Sequence, residues 1–172
     1  MYVFIFTTVV VGFAAAGVVM LLFRLWGRKA PKYVIPFVAA LAMFGYMIWD
    51  DYTWYQRTID RLPSDVAVTM TFEHVSAIAP WTLVKPVINS FTVVDKTKIV
   101  QSPVSPDIKL AMETKAIKNG ETRSLSYIID CLKGRAAILS KNDPRDENGF
   151  PTDMTEWFDM DADDPLRAAV CQ

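Results

Sequence analysis

The feature that most constrains this chain is the placement of its charge. Met1 to Trp49 carries only four charged residues, all basic, and Arg24, Arg28, Lys29 and Lys32 sit together between two apolar runs. The first run, Met1–Phe23, reads MYVFIFTTVVVGFAAAGVVMLLF without a single charge. As a helix it reaches about 34 Å, enough to cross a hydrocarbon core of about 30 Å. A cleaved signal peptide is the competing reading. Such peptides begin with a basic stretch and have a shorter apolar core. Here the positive residues follow the run, which predicts a retained span. The second run, Tyr33–Trp49, is seventeen residues long, at the lower limit for a span. Tyr33 and Trp49 bracket it, and Tyr46, Tyr52, Trp54 and Tyr55 cluster at its far end, the composition of an interfacial aromatic belt. Pro36 falls in the first turn, where a missing N–H costs little.

The connector, RLWGRKAPK, holds four positive charges and no acid. By the positive-inside rule it lies in the cytoplasm, which sends both termini across the membrane. In a bacterium the remainder is then periplasmic and the protein is multi-pass in the inner membrane. Neither span contains an ionisable residue, which argues against a proton relay or transporter core. Gly12 and Ala16 have small-xxx-small spacing, and with Ala39 and Ala42 they allow close helix approach. Packing within the hairpin is preferred to a dimer seam, with a homo-oligomer as the alternative.

Asp50–Gln172 holds every Asp and Glu and the remaining Lys and Arg, the composition of a water-soluble domain. The whole chain has a formal net charge of −1, too little positive charge for a nucleic-acid partner. Residues 51–64 form a juxtamembrane stalk continuing the helix, and 65–172 a small β-domain. Val66, Val68, Met70 and Phe72 alternate with Ala67, Thr69, Thr71 and Glu73, the pattern of a half-buried strand. Phe91–Val94 is a short β-type run. Ile108, Leu110 and Met112 alternate with Lys109, Ala111 and Glu113. Asn119-Gly120 supplies a hairpin turn. Leu125, Tyr127, Ile129 and Cys131 then face one way, with Ser126, Ile128 and Asp130 opposite. Lys133-Gly134 turns the chain into a strand over Arg135–Leu139. The expected fold is a membrane-anchored α+β chain: a transmembrane helical hairpin (spans about 2–23 and 33–49, cytoplasmic loop 24–32) followed by a small antiparallel sheet with a short C-terminal helix. For that helix Asp164 is the cap, Pro165 the first helical residue, and Leu166, Val170 and Cys171 the inward face.

Nine acids against one Arg lie between Asp143 and Asp164, but the regular order of a calcium loop is missing. A solvated acidic loop is the expectation, broken by Pro144, Asn148-Gly149 and Pro151. The two cysteines, Cys131 and Cys171, both fall in the domain placed outside the cytoplasm, where a disulfide is permitted. Catalytic-thiol and metal readings are weak, because the cysteines form no CxxC pair and His74 is the only histidine.

FTVVDKTKIV, the strand SYIIDCLKGRAAILS, Trp157 and the ending DDPLRAAVC together resemble the surface-adhesin protein E family of Gram-negative bacteria. The resemblance covers roughly Phe91 to Cys171. It implies a small secreted β-domain, with Asp95, Asp130, Cys131, Trp157, Val170 and Cys171 in matching positions and the two cysteines bonded. Two membrane spans replace the cleaved signal peptide of that family.

The sequence has no Gly-rich phosphate loop, nucleophile elbow or HExxH motif, so no cofactor, metal or catalytic residue is assigned. Glu73 and His74 should point to opposite faces of a strand. Asp50-Asp51 marks the exit of the second span. Trp81, between Pro80 and Pro86, and Trp157 are the candidate partner-binding residues, since Trp is enriched at binding hot spots, with core packing the equal alternative for Trp81. The favoured function is a non-enzymatic, periplasm-facing binding or assembly module whose partners are the lipid bilayer and another membrane or periplasmic protein. An immunity or entry-exclusion protein acting against a toxin or conjugation apparatus is the alternative. A redox protein using Cys131 and Cys171 ranks last.

Overall fold

The computed structural model describes residues 2–103, 105–118, 120–140, 143–144, 146–147, 150–151 and 156–171. The chain forms two compact units, Met1–Arg57 with His74–Val87, and Thr58–Glu73 with Ile88–Gln172.

The first unit is built on two long helices. α1 spans Tyr2–Leu25 and α2 spans Val34–Ile59, and each is long and apolar enough to cross a membrane. Their apolar side chains are mostly exposed, and Gly12 is the one buried residue of α1. At Gly12 the helices meet: a Cβ placed there would fall 1.9 Å from Cε of Met43. Phe4 stacks on Tyr46 with ring centroids 6.2 Å apart. Gly12 therefore serves contact within the hairpin. α1 ends in a Schellman motif, with Gly27 N–H bonding to Arg24 O and Arg28 N–H to Phe23 O.

α2 does not stop at Trp49. Residues 50–59 contain no Gly or Pro, so nothing interrupts the helical ladder, and the expected stalk begins as its continuation. Asp50 is buried there and pairs with the Arg57 guanidinium, which also lies 4.7 Å over the Trp49 ring.

The second unit is a seven-stranded sheet in the order β1-β2-β4-β5-β6-β7, with β3 paired to β4. The strands are β1 Val66–His74, β2 Val87–Asp95, β3 Val100–Gln101, β4 Ile108–Ile117, β5 Thr122–Asp130, β6 Arg135–Leu139 and β7 Phe158–Asp159. β4 is the axis. Along one edge it pairs antiparallel with β2 (Val94 opposite Glu113) and then β3 (Val100 opposite Leu110). Five residues on one side thus face two on the other. The surplus is taken up by a 3-10 turn, Lys96–Lys98, that the sequence pattern does not announce. Asp95 caps this turn, accepting from Thr97 N at 3.0 Å and Thr97 Oγ1 at 2.6 Å, with Lys98 Nζ 2.9 Å away. These bonds hold the Asp95 carboxyl below its usual pKa, the Thr97 hydroxyl first and Lys98 next.

The β4–β5 hairpin closes with Gly120 at φ 84° and Gly120 N–H bonded to Ile117 O, while Asn119 of the expected turn lies outside the described residues. Asp130 organises the β5–β6 turn, taking Lys133 N–H at 3.0 Å and Arg135 Nε at 3.3 Å. Gly134 there has φ 65°, a backbone conformation that favours glycine, with the movable Arg167 guanidinium 2.8 Å from where a Cβ would sit.

Two apolar clusters flank the sheet. Val94, Ala111, Ile129 and Ala136 pack with Met160, Leu166 and Val170, joined by Tyr127, Cys131 and Cys171. On the opposite face Ile128 packs with Leu139 and Phe150, covered by Ile108, Leu110 and Trp157. The two faces of β5 are divided as its alternation predicts. Phe150 and Trp157 come from the acidic connection, so that segment supplies core as well as charge. Its Asn148-Gly149 breaker lies outside the described residues.

β1 differs from expectation. Thr69 is its buried residue at 7% exposure, while Val68 and Met70 stand exposed. A period of two tells which residues share a face, not which face is inner. Thr69 is admitted because its hydroxyl is satisfied by Thr92 Oγ1 at 2.8 Å and Glu113 Oε1 at 2.6 Å.

α4, Pro165–Val170, closes the unit as predicted. Asp164 accepts from the backbone N–H of Leu166 and Arg167, and Leu166 and Val170 are buried.

Candidate functional site

Beyond the N-terminal end of α4 the helix-covered face of the sheet opens into a cavity of about 180 Å³. Alternation on β4, β5 and β6 turns Glu113, Tyr127 and Ile138 into it. Phe158 of β7 enters beside Ala136, and Met70 and Thr69 come from β1. Asp164, Pro165 and Leu166 form its helical wall. Pockets for whole small molecules run to about 300–1,000 Å³. This one has the size of a socket for one or two side chains. Its floor is polar and already bonded, with Thr69 Oγ1 donating to Glu113 Oε1 at 2.6 Å. Its rim is apolar, with Met70, Ile138 and Phe158 all exposed. Such a site suits recognition of an apolar side chain with a hydrogen-bonding neighbour.

Burial pushes the Tyr127 hydroxyl above its ordinary pKa of 10.0, with the negative charge of Glu113 as the next cause. Folding therefore favours neutral Tyr127. Its contribution is complete below the unfolded value and declines as pH rises from there toward the folded value. Urea titrations between about pH 9 and pH 11 should show stability falling more steeply in the native chain than in Tyr127→Phe. Parallel slopes would remove Tyr127 from the alkaline dependence.

A second depression, about 520 Å³, is lined by Lys96, Ile99, Val100, Gln101, Lys109 and the end of α4. Its Lys109 Nζ donates to Val170 O at 2.8 Å, which satisfies a terminal helix carbonyl. This lysine therefore has a structural partner.

Of the residues singled out from sequence, Cys131 and Cys171 are brought together at disulfide distance, with Cα atoms 5.6 Å apart across a separation of 40. The link joins the end of β5 to the end of α4. The two candidate tryptophans belong to different units, and each is already engaged. Trp157 lies over the second cluster with the Arg135 guanidinium 4.4 Å from its ring. Trp81 opens α3, the four-residue helix Trp81–Val84. Its Nε1–H donates to Asp51 Oδ2 at 2.9 Å, and its ring meets Phe44 edge-on at 5.1 Å. Asp50 thus pairs with Arg57, and Asp51 with Trp81. His74 and Glu73 are both exposed. No group of three His, Cys, Asp or Glu is arranged to hold a metal among the described residues.

Sequence reading missed the socket because its lining comes from five separate strands and one helix. Glu113 was no signal in advance, because Lys109 and Lys115 share its face of β4. No protein-family description, curated protein or solved structure matches the chain.

Proposed function

We propose that this protein is a binding or assembly module without catalytic activity of its own, anchored in a bacterial inner membrane by α1 and α2 with both termini and the sheet domain in the periplasm. The observation that carries the reading is the Cys131–Cys171 pair at bonding distance, because such a link persists in an oxidising compartment. The four positive charges between the apolar helices favour the same orientation independently.

In this reading the socket beside Tyr127 is the recognition surface, and its partner is a membrane or periplasmic protein offering an apolar side chain. The likeness to the surface-adhesin protein E family belongs to this proposal on the sequence pattern alone. Asp130 holds the basic turn, Trp157 covers a core cluster, and Val170 and Cys171 secure the final helix.

A reporter enzyme that matures only after export, fused behind Gln172, should be active in cells. A photo-crosslinker at Ile138 should capture a discrete partner that one at Glu121 does not. Activity only of a reporter that works inside the cell would overturn the orientation. Identical crosslinking patterns from the two positions would remove the socket from recognition.

A further inference from the structure

Residues 75–84 read VSAIAPWTLV, ten positions without a charge in a connection between two strands. Loops facing water are ordinarily polar, and contiguous exposed apolar surface marks contact with something other than water. Here Ile78 is 93% exposed, Val84 90% and Leu83 65%, with Val75 also exposed. This segment groups with the two long helices rather than with the sheet.

The way it is held explains the grouping. Trp81 sits on a stripe of α2 formed by Phe44, Asp51 and Tyr52, with its ring against Phe44 and its indole N–H on Asp51. The Tyr52 hydroxyl reaches Trp81 O at 3.1 Å and Lys85 O at 2.9 Å. Phe44 lies seven residues below Asp51, or about 10 Å along the helix axis. Interfacial elements penetrate a bilayer by about 5–10 Å, the same length as this stretch of α2.

The backbone is prepared for a poorly hydrated setting. Thr82 is almost fully buried, and its Oγ1 accepts from Ser76 N at 2.9 Å and lies 2.7 Å from Ala79 O. Ala79, Thr82, Leu83 and Lys85 donate their N–H groups to carbonyls inside the segment. Each N–H satisfied internally lowers the cost of placing non-helical chain at the interface, since lipid-exposed irregular chain is not found in the hydrocarbon core itself. Lys85 closes the segment with its ammonium 5.7 Å from the centre of the Tyr52 ring, a position from which a long basic side chain can reach headgroups.

We propose that residues 75–84 form a third membrane-contacting element, a short interfacial insertion whose Ile78, Leu83 and Val84 side chains enter the lipid beside α2. The occupant of this surface is lipid, because the segment is seated through Trp81 on Phe44 of a helix long and apolar enough to cross a membrane, with Phe44 and Leu41 both exposed. The inference rests on α1 and α2 being membrane spans.

The test uses the full chain with Cys131 and Cys171 oxidised, reconstituted at about one molecule per vesicle in phosphatidylethanolamine and phosphatidylglycerol. An environment-sensitive fluorophore is attached to Ile78→Cys, Val84→Cys, Leu41→Cys or Glu121→Cys. The insertion predicts blue-shifted emission at positions 78 and 84, lost on adding lipid that carries a nitroxide near its headgroup. Position 41 should be quenched by a nitroxide deep in the chain and position 121 by neither. If position 41 is quenched while 78 and 84 behave like 121, the insertion is overturned and the spans stand. If position 41 stays unquenched, the span reading falls and takes the insertion with it. Shielding of 78 and 84 in native membranes but not in protein-free vesicles would make the occupant a protein and overturn the lipid assignment.

Discussion

Replacing Cys131 or Cys171 with serine should lower the stability of the sheet domain by about 4 kcal/mol, with equal effects from either cysteine and no further loss in the double variant. The size follows from the loop: 40 positions separate the two sulfurs along the chain, and that separation sets the entropy released when the link is broken. The link also secures α4, whose six residues are too few to be helical alone and depend on Leu166 and Val170 staying on Ala111 and Ile129. Denaturant unfolding of the full chain in detergent, compared with the reduced wild type, measures this. A change below about 1 kcal/mol for both variants would show that the link does not constrain the unfolded chain.

The second large effect is expected at Ile129. This side chain is fully buried on the middle of the sheet, between Ala111, Ala136 and the inner face of α4. Ile129→Ala removes methyl groups that its rigid neighbours cannot replace, and should cost about 2–5 kcal/mol. Ile138 provides the contrast. It is 54% exposed at the rim of the socket, and Ile138→Ala should cost no more than about 0.5 kcal/mol. Similar losses from the two substitutions would mean that the helix-covered face does not bear the core.

Local signals in this chain proved dependable where a few neighbouring residues decide the outcome. The apolar run lengths produce α1 and α2, Gly134 turns the chain before β6, and Asp164-Pro165 starts α4, each through contacts within a few positions. Alternation sorted β5 correctly into two faces because both of its faces carry large apolar groups. The same alternation misleads on β1, where Thr69 rather than Val68 or Met70 points inward. Its two hydroxyl partners, Thr92 and Glu113, lie 23 and 44 positions away, so no window on β1 reveals them. The contacts of Trp81 are hidden from a local window for the same reason. The groups it meets, Phe44 and Asp51, are on a different element about thirty positions earlier.

From the amino-acid order alone came the two apolar helices, the basic turn between them, the strands β1, β4, β5 and β6, part of β2, the final helix and the pairing of the only two cysteines. These depend on run length, charge position, turn chemistry and simple parity, which are properties of short stretches. Tertiary structure alone decided which face of β1 is inner, that the acidic connection supplies Phe150 and Trp157 to a second cluster, and that the segment after β1 folds onto α2. Those outcomes rest on side chains far apart in the chain satisfying one another's polar groups and apolar area, and only the folded chain brings such pairs into contact.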